Sequence, residues 1–240
     1  MRVTPVHLNS AIAGLFMIGS SCFALGSIPA YVNAVGGPID GITYFVGSIF
    51  FTSASFLQLV QSQTPAATEV DAASATRPTP LRWWAWLPHD RAWLAAITQF
   101  PGTLFFNIST GAALIHNATV AEEQRYVWRP DIYGSILFLV SSFFALLAVA
   151  VVNGSRRHTS GWRIGWWNMA GSILFMASAL ASFILPSGEL VSTRISVAGT
   201  FGGAVCFLVG AALMFPAWRA ALHQTQSSRP STGRPIERNS

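Results

Sequence analysis

Six stretches that lack Asp, Glu, Arg, Lys and His occupy most of this 240-residue chain. They are residues 8–39, 41–68, 92–115, 132–155, 164–188 and 195–218. Each is longer than the roughly 20 apolar residues with which a helix crosses a bilayer. Only 10% of the residues are charged, whereas a soluble domain carries about 25%. The pattern predicts an all-α, polytopic membrane protein with six transmembrane helices.

Each stretch also contains the same spaced trio: a glycine, a phenylalanine four positions later, and a small residue three positions further on. The copies are Gly19-Phe23-Gly26, Gly47-Phe51-Ala54, Gly102-Phe106-Ser109, Gly134-Phe138-Ser141, Gly171-Phe175-Ser178 and Gly203-Phe207-Gly210. On a helix these offsets fall within about 60° of one another. Small residues one heptad apart let two helices approach closely. The trio therefore predicts helix packing and indicates no chemistry by itself.

The basic residues predict the orientation. The chain has fourteen arginines and no lysine, and with a cytoplasmic amino terminus only Arg125, Arg129 and Arg194 lie outside. Basic residues are retained on the cytoplasmic side of a membrane. We therefore predict a multi-pass protein of the plasma membrane with a cytoplasmic N-terminus and a cytoplasmic C-terminus. The same rule accounts for the net charge of +5, so nucleic acid is not predicted as a partner.

The chain divides into three predicted helical hairpins. Their bounds are 1–60, 91–155 and 156–218, with a flexible cytoplasmic linker at 61–90 that contains a Trp-rich interfacial segment, and a disordered basic tail at 219–240. Such hairpins can pack around a pseudo-threefold axis or in a sequential row. The sequence favours neither arrangement.

The segments GSSCFALG at 19–26 and GSILFMAS at 171–178 resemble the YrhK-like group of small bacterial integral membrane proteins. Those proteins pair two such spans per domain. The resemblance implies a bacterial protein built as a tandem expansion of that hairpin, with six spans instead of two and a long inner linker. It implies no activity, so no catalytic residue carries over.

The usual marks of membrane enzymes and active transporters are missing from the six stretches. Proton-coupled transport relies on ionisable side chains at membrane depth, and all five histidines lie in loops or at span ends. Cys22 and Cys206 are predicted to be buried free thiols, with no disulfide or metal-binding spacing. We predict that the protein is not an enzyme, with no catalytic residue, no cofactor and no metal.

The third span carries the one pronounced polar stripe: Gln99, Thr103, Asn107 and Thr110. Their spacing places them within about 80° on one helix face, and Pro101 removes a backbone donor near the start of the span. These side chains either hydrogen-bond to neighbouring helices, at about 0.6 kcal/mol per bond, or line a polar path for a small neutral solute. A contact with a partner protein is the third interpretation.

The outer loop at 116–131 holds the richest cluster of charge outside the cytoplasm. Its members are Glu122, Glu123, Arg125, Trp128, Arg129 and Asp131. They either order the loop through an ion network or bind an external ligand or partner. The adjacent carboxylates at 122 and 123 point different ways, so they do not suit a general acid and base pair.

Three functional hypotheses follow. The first is a non-enzymatic structural or assembly subunit of the plasma membrane, whose partners are the lipid bilayer and either a second copy or another membrane protein. The alternative is a passive channel or facilitator for a small neutral solute, with the third span lining the path. A membrane sensor that reads a ligand through the outer loop is the third.

Overall fold

The structure is a computed structural model that describes residues 2–64, 77–115, 119–153 and 159–227. Its helices are α1 (Pro5–Gly26), α2 (Pro29–Val35), α3 (Gly37–Ser62), α4 (Arg91–Ala112), α5 (Val120–Glu122), a π-helix (Glu123–Trp128), α6 (Arg129–Asn153), α7 (Ser160–Ala181) and α8 (Thr193–Ser227). Two short strands, β1 (Arg2–Val3) and β2 (Thr79–Pro80), pair antiparallel. The all-helical prediction is confirmed.

Five helical segments in the described part of the chain are long and apolar enough to cross a membrane. They are Pro5–Gly26, Gly37–Ser62, Val120–Ala150, Ser160–Ala181 and Thr193–Ala217. The remaining predicted span, α4, has 22 residues but is not among the five. Its polar stripe, which includes Gln99 and Asn107, makes α4 less apolar than the other long helices.

Local sequence signals explain where the first helices begin and end. The Thr4 side chain accepts a hydrogen bond from the His7 backbone N–H at the start of α1, and Pro5 stands at the first helical position, where a missing N–H costs nothing. The first charge-free stretch is not one helix, because α1 ends at Gly26 and Pro29 begins α2. Gly36 then turns the chain with φ +81°, a value that glycine adopts without strain.

The six long helices form a closed ring. Helix α1 packs on α3, α4 on α6 and α7 on α8, and these pairs adjoin through contacts of α3 with α4, α6 with α7, and α8 with α1. The sequence left open a ring or a row of hairpins, and the contact between α8 and α1 closes the ring. The β1–β2 pairing lies at the end where α1 and α4 begin, here called the terminal end.

The glycines of the trio bring the two helices of each pair into backbone contact. A Cβ at Gly134 would lie 3.0 Å from the Gly102 carbonyl oxygen, and a Cβ at Gly171 would lie 3.1 Å from the Gly203 carbonyl oxygen. Gly19 is as close to α3, with 2.9 Å to the Gly47 carbonyl oxygen. The trio therefore packs the helices within each pair, as the spacing predicts.

The segments outside the ring are described in part. Residues 65–76 of the predicted linker and 228–240 of the predicted tail lie outside the described residues, and α8 continues to Ser227, through residues expected in the tail. Trp83, Trp84 and Trp86 are exposed beside α4, as an interfacial segment requires. Trp93 is 2% exposed and belongs to the protein interior instead.

Replacing Gly19 by leucine should lower the thermal unfolding temperature of the purified protein by several degrees. The new side chain would meet the Gly47 carbonyl oxygen and the Phe51 ring, and overpacking of this kind costs about 1–3 kcal/mol. Thermal unfolding in mild detergent, followed by tryptophan fluorescence, measures the effect.

The matched control is Gly14→Leu, on the same helix, because a Cβ at Gly14 has no atom within 4 Å. Equal unfolding temperatures for the two variants would show that close contact at Gly19 does not hold this pair together.

Candidate functional site

The phenylalanines of all six trios meet in one cluster at the centre of the ring. This cluster, the phenylalanine septum, consists of Phe23, Phe51, Phe106, Phe138, Phe175 and Phe207, and all six are buried. Within the helix pairs the ring centroids are 5.7, 5.1 and 5.3 Å apart. Edge-to-face aromatic contacts at these distances contribute about 0.5–1.5 kcal/mol each beyond buried area.

The septum has two tiers. Phe51, Phe138 and Phe207, from the helices that run toward the terminal end, form a complete triangle with centroid separations of 6.3, 6.0 and 5.7 Å. In the second tier Phe175 lies 5.9 Å from both Phe23 and Phe106. Each of the six helices contributes one ring, so the septum fills the axis of the bundle.

A cavity of about 330 Å³ lies against the first tier, on the side of the terminal end. This inner chamber is lined by all six helices, which places it on the bundle axis. Its polar lining is Asn9, Gln58, Gln99, Ser141, Ser142 and Asn168. Four of these are carboxamides from four different helices, and the full lining contains no charged side chain. The chamber is therefore neutral, with carboxamide and hydroxyl groups placed in a mainly apolar wall.

A second cavity of about 280 Å³ lies against the other tier. This outer chamber is again lined by all six helices, and Phe23, Phe106 and Phe175 form its floor. Hydroxyl groups dominate its polar lining: Tyr44, Ser109, Thr110, Ser178, Ser182, Ser196 and Thr200. Asp131 adds a single carboxylate. The two chambers thus share one axis and are separated by the septum.

One of the inner carboxamides has a buried oxygen without a hydrogen-bond partner among the described residues. Asn9 is 8% exposed, and the Gln58 Oε1 atom is buried without a hydrogen-bond partner in the described part of the chain. Gln99 is held in place, because the Ser141 hydroxyl lies 3.2 Å from its Oε1. An unpaired buried amide costs about 1–3 kcal/mol, and a hydrogen-bond donor that reached the Gln58 oxygen would recover that cost.

The predicted polar stripe of α4 is divided between different surroundings. Gln99 lines the inner chamber, and Thr110 lines the outer chamber. Thr103 is fully buried and donates to the Phe100 carbonyl of its own helix at 2.7 Å. The stripe does not line one continuous cavity, because Phe106 of the septum lies between the two chambers.

Asn107 and Thr110 of the stripe hydrogen-bond to α3. The Asn107 Oδ1 atom accepts a hydrogen bond from the Thr52 hydroxyl at 3.1 Å, and the Thr110 and Ser48 hydroxyls are 3.0 Å apart. These are the contacts that the packing interpretation expects at Asn107 and Thr110.

The chain between α4 and α6 is helical for most of the length expected to be a loop. Thr119 and Glu122 form a capping box, in which the Thr119 backbone N–H donates to the Glu122 carboxylate at 2.8 Å. This reciprocal cap starts the helix. Glu122 is thus engaged locally, and the Arg125 guanidinium lies over the Tyr126 ring at 5.4 Å.

A π-helical turn follows directly, and it directs side chains toward the outer chamber. The Trp128 indole N–H donates to the Ala179 carbonyl at 2.9 Å, and the Gln124 amide donates to the Ile184 carbonyl. Trp128 and Asp131 both line the outer chamber. Turns of the π type occur often at functional sites, and this one covers the chamber from the end opposite to the termini.

The sequence reasoning missed Asn9 and Gln58. Each is an amide near the terminal end of an apolar helix, and only the closed ring brings the two together with Gln99 and Asn168. The signal that could have found them is their position: Asn9 lies ten residues before Gly19 and Gln58 lies eleven residues after Gly47, so both are on the side of the terminal end.

The chain has no match among protein-family models, curated proteins or solved structures. Among the described residues no cluster of His, Cys, Asp and Glu could hold a metal ion. The candidate site therefore consists of the two chambers and the septum between them.

Replacing Phe138 by alanine should destabilise the protein by about 3–5 kcal/mol, the usual cost of emptying a buried aromatic site. Phe138 is 2% exposed and contacts three other rings of the septum. Chemical denaturation in detergent micelles measures the loss.

Phe143→Ala on the same helix is the control, because Phe143 is 54% exposed. If both variants unfold at the same denaturant concentration, the septum is not the packing centre of the bundle.

Proposed function

We propose that this chain is an integral protein of the bacterial plasma membrane that crosses the bilayer six times, with both termini in the cytoplasm. Five of its helices are apolar enough for a membrane. Support for the sixth span is that α4 packs in the ring between α3 and α6 and contributes Phe106 to the septum. The arginine distribution supports the orientation, because it follows the positive-inside rule.

Within that membrane we propose a passive facilitator for small neutral solutes rather than an enzyme. The observation that carries this proposal is the pair of chambers on one axis, each lined by all six helices, on the two faces of the septum. A neutral inner chamber disfavours ions, which need charged or closely spaced oxygen ligands to replace their hydration shells. In this conformation the septum closes the path, as a hydrophobic constriction does.

A structural or assembly subunit is the second candidate, and the hydrogen bonds of Asn107 and Thr110 to α3 favour it. In this role the protein would act through a second copy or another membrane protein. The resemblance to the YrhK-like group implies that the hairpins arose by repetition of a two-span unit. This origin is compatible with a facilitator and with a structural subunit.

Replacing one phenylalanine of the septum by a smaller side chain should increase solute flux. We expect proteoliposomes with the wild-type chain to take up acetamide faster than protein-free vesicles, and those with Phe138→Leu to do so several-fold faster than wild type. Stopped-flow light scattering after an osmotic step measures the rate.

Phe143→Leu, at an exposed position of the same helix, should behave like wild type. Rates that equal those of protein-free vesicles for every variant would refute facilitation and support the subunit role.

Cysteine labelling tests the six-span topology. In a background with Cys22 and Cys206 replaced by alanine, Arg82→Cys precedes α4 and Tyr126→Cys follows it. Tyr126 is 49% exposed, so a membrane-impermeant maleimide should reach it from outside intact cells. Arg82→Cys should react only after the cells are opened. Labelling of both positions from the same side would show that α4 does not span the membrane.

A further inference from the structure

The inner chamber contains more hydrogen-bonding capacity than the protein itself uses. Asn9, which is buried, lines it from α1, and Gln58, whose Oε1 atom is buried without a hydrogen-bond partner in the described part of the chain, lines it from α3. Gln99 and Asn168 add carboxamides from α4 and α7. A buried amide without a partner costs free energy, and a bound molecule that pairs with it recovers that cost.

The carboxamides of the inner chamber supply hydrogen-bond donors as well as acceptors. The Gln58 carbonyl oxygen is buried and unpaired in the described part of the chain, and it needs an N–H or O–H donor. Gln99 accepts from Ser141 through its carbonyl oxygen, and its NH₂ group is left to donate to an acceptor. A ligand that satisfies both must carry donor and acceptor groups a short distance apart, and it must be neutral, because the lining has no counter-charge.

The floor of the chamber restricts the shape of the ligand. It is made of the aromatic rings Phe51, Phe138 and Phe207, and a flat π-bonded group can lie against such rings with good contact. A primary amide or urea is planar and places a carbonyl acceptor beside N–H donors, which is the pattern that a carboxamide pairs with. A polyol also carries donors and acceptors, but its hydroxyls stand on tetrahedral carbons, so it lacks the flat face. The chamber volume of about 330 Å³ lies at the lower end of the range for small-molecule sites.

We propose that the inner chamber is a binding site for small neutral solutes of the primary amide and urea class, held by Asn9, Gln58 and Gln99 above the septum. This inference rests on the proposed facilitator function, because it names the solute class that the path selects. In this proposal the solute is selected in the inner chamber, and the septum closes the path.

Saturation-transfer difference NMR tests the binding without requiring transport. The probes are acetamide and glycerol, each added to the purified full-length protein in mild detergent. We expect acetamide to show saturation transfer and to be displaced by urea, while glycerol shows none. Gln58→Leu and Asn9→Leu should each weaken acetamide binding about five-fold, the effect of one lost neutral hydrogen bond.

Gln61→Leu is the matched control. It changes the same residue type on the same helix, does not line the chamber, and should bind acetamide like wild type. Size-exclusion profiles and unfolding temperatures show whether each variant is folded, and the two chamber variants serve as replicates of each other should one fail to fold.

Three results would overturn the inference: no saturation transfer to acetamide, equal transfer to glycerol, or acetamide binding unchanged in both folded chamber variants. Chamber occupancy by water alone would produce the first of these. Parallel flux measurements separate the two proposals. Flux with no amide binding would support the facilitator function and refute the proposed solute class. Amide binding with no flux through wild type or Phe138→Leu would refute the facilitator function.

Discussion

The whole bundle depends on the close approach of two helix backbones at a glycine in each. A carbonyl oxygen of one helix lies where a side chain of its partner would otherwise stand, as at Gly134 over Gly102 and Gly171 over Gly203. This contact draws the two helices together, and the phenylalanine one turn further on is then directed inward. Lipid offers no hydrophobic force between helices, so van der Waals contact of this kind is what stabilises a membrane bundle.

The septum and the chambers follow from that contact and from the alternating direction of the helices. Because helices α1, α4 and α7 run one way and the other three run back, their phenylalanines lie in two tiers rather than in one ring. Four of the six third members of the trios line the chambers: Ser141 and Gly210 line the inner chamber, and Ser109 and Ser178 line the outer one. One sequence pattern thus forms both the barrier and part of the chamber walls.

The local features were predictable from the sequence, and the long-range ones were not. The charge-free stretches and trios predict the long helices and their pairing, because both signals act within one or two helices. They could not predict that α8 returns to α1, since several ring and row arrangements satisfy the same stripes. For that reason the sequence drew attention to Gln99 on its polar stripe and missed Gln58, whose importance arises only where four helices meet. The capping box of Thr119 and Glu122 begins a helix, but it lies within the segment 116–131 that the charge pattern predicts to be a loop.

The contact between α1 and α8 has a consequence for biosynthesis. Helix α1 is synthesised before α8, and the two must become neighbours, so the wall between them stays incomplete until α8 has left the ribosome. During that interval Phe23 and Phe51 of the earliest pair border a cleft open to lipid or to the insertion machinery. Contacts between residues far apart in the sequence are slow to form, and α8 therefore decides when the ring of helices closes.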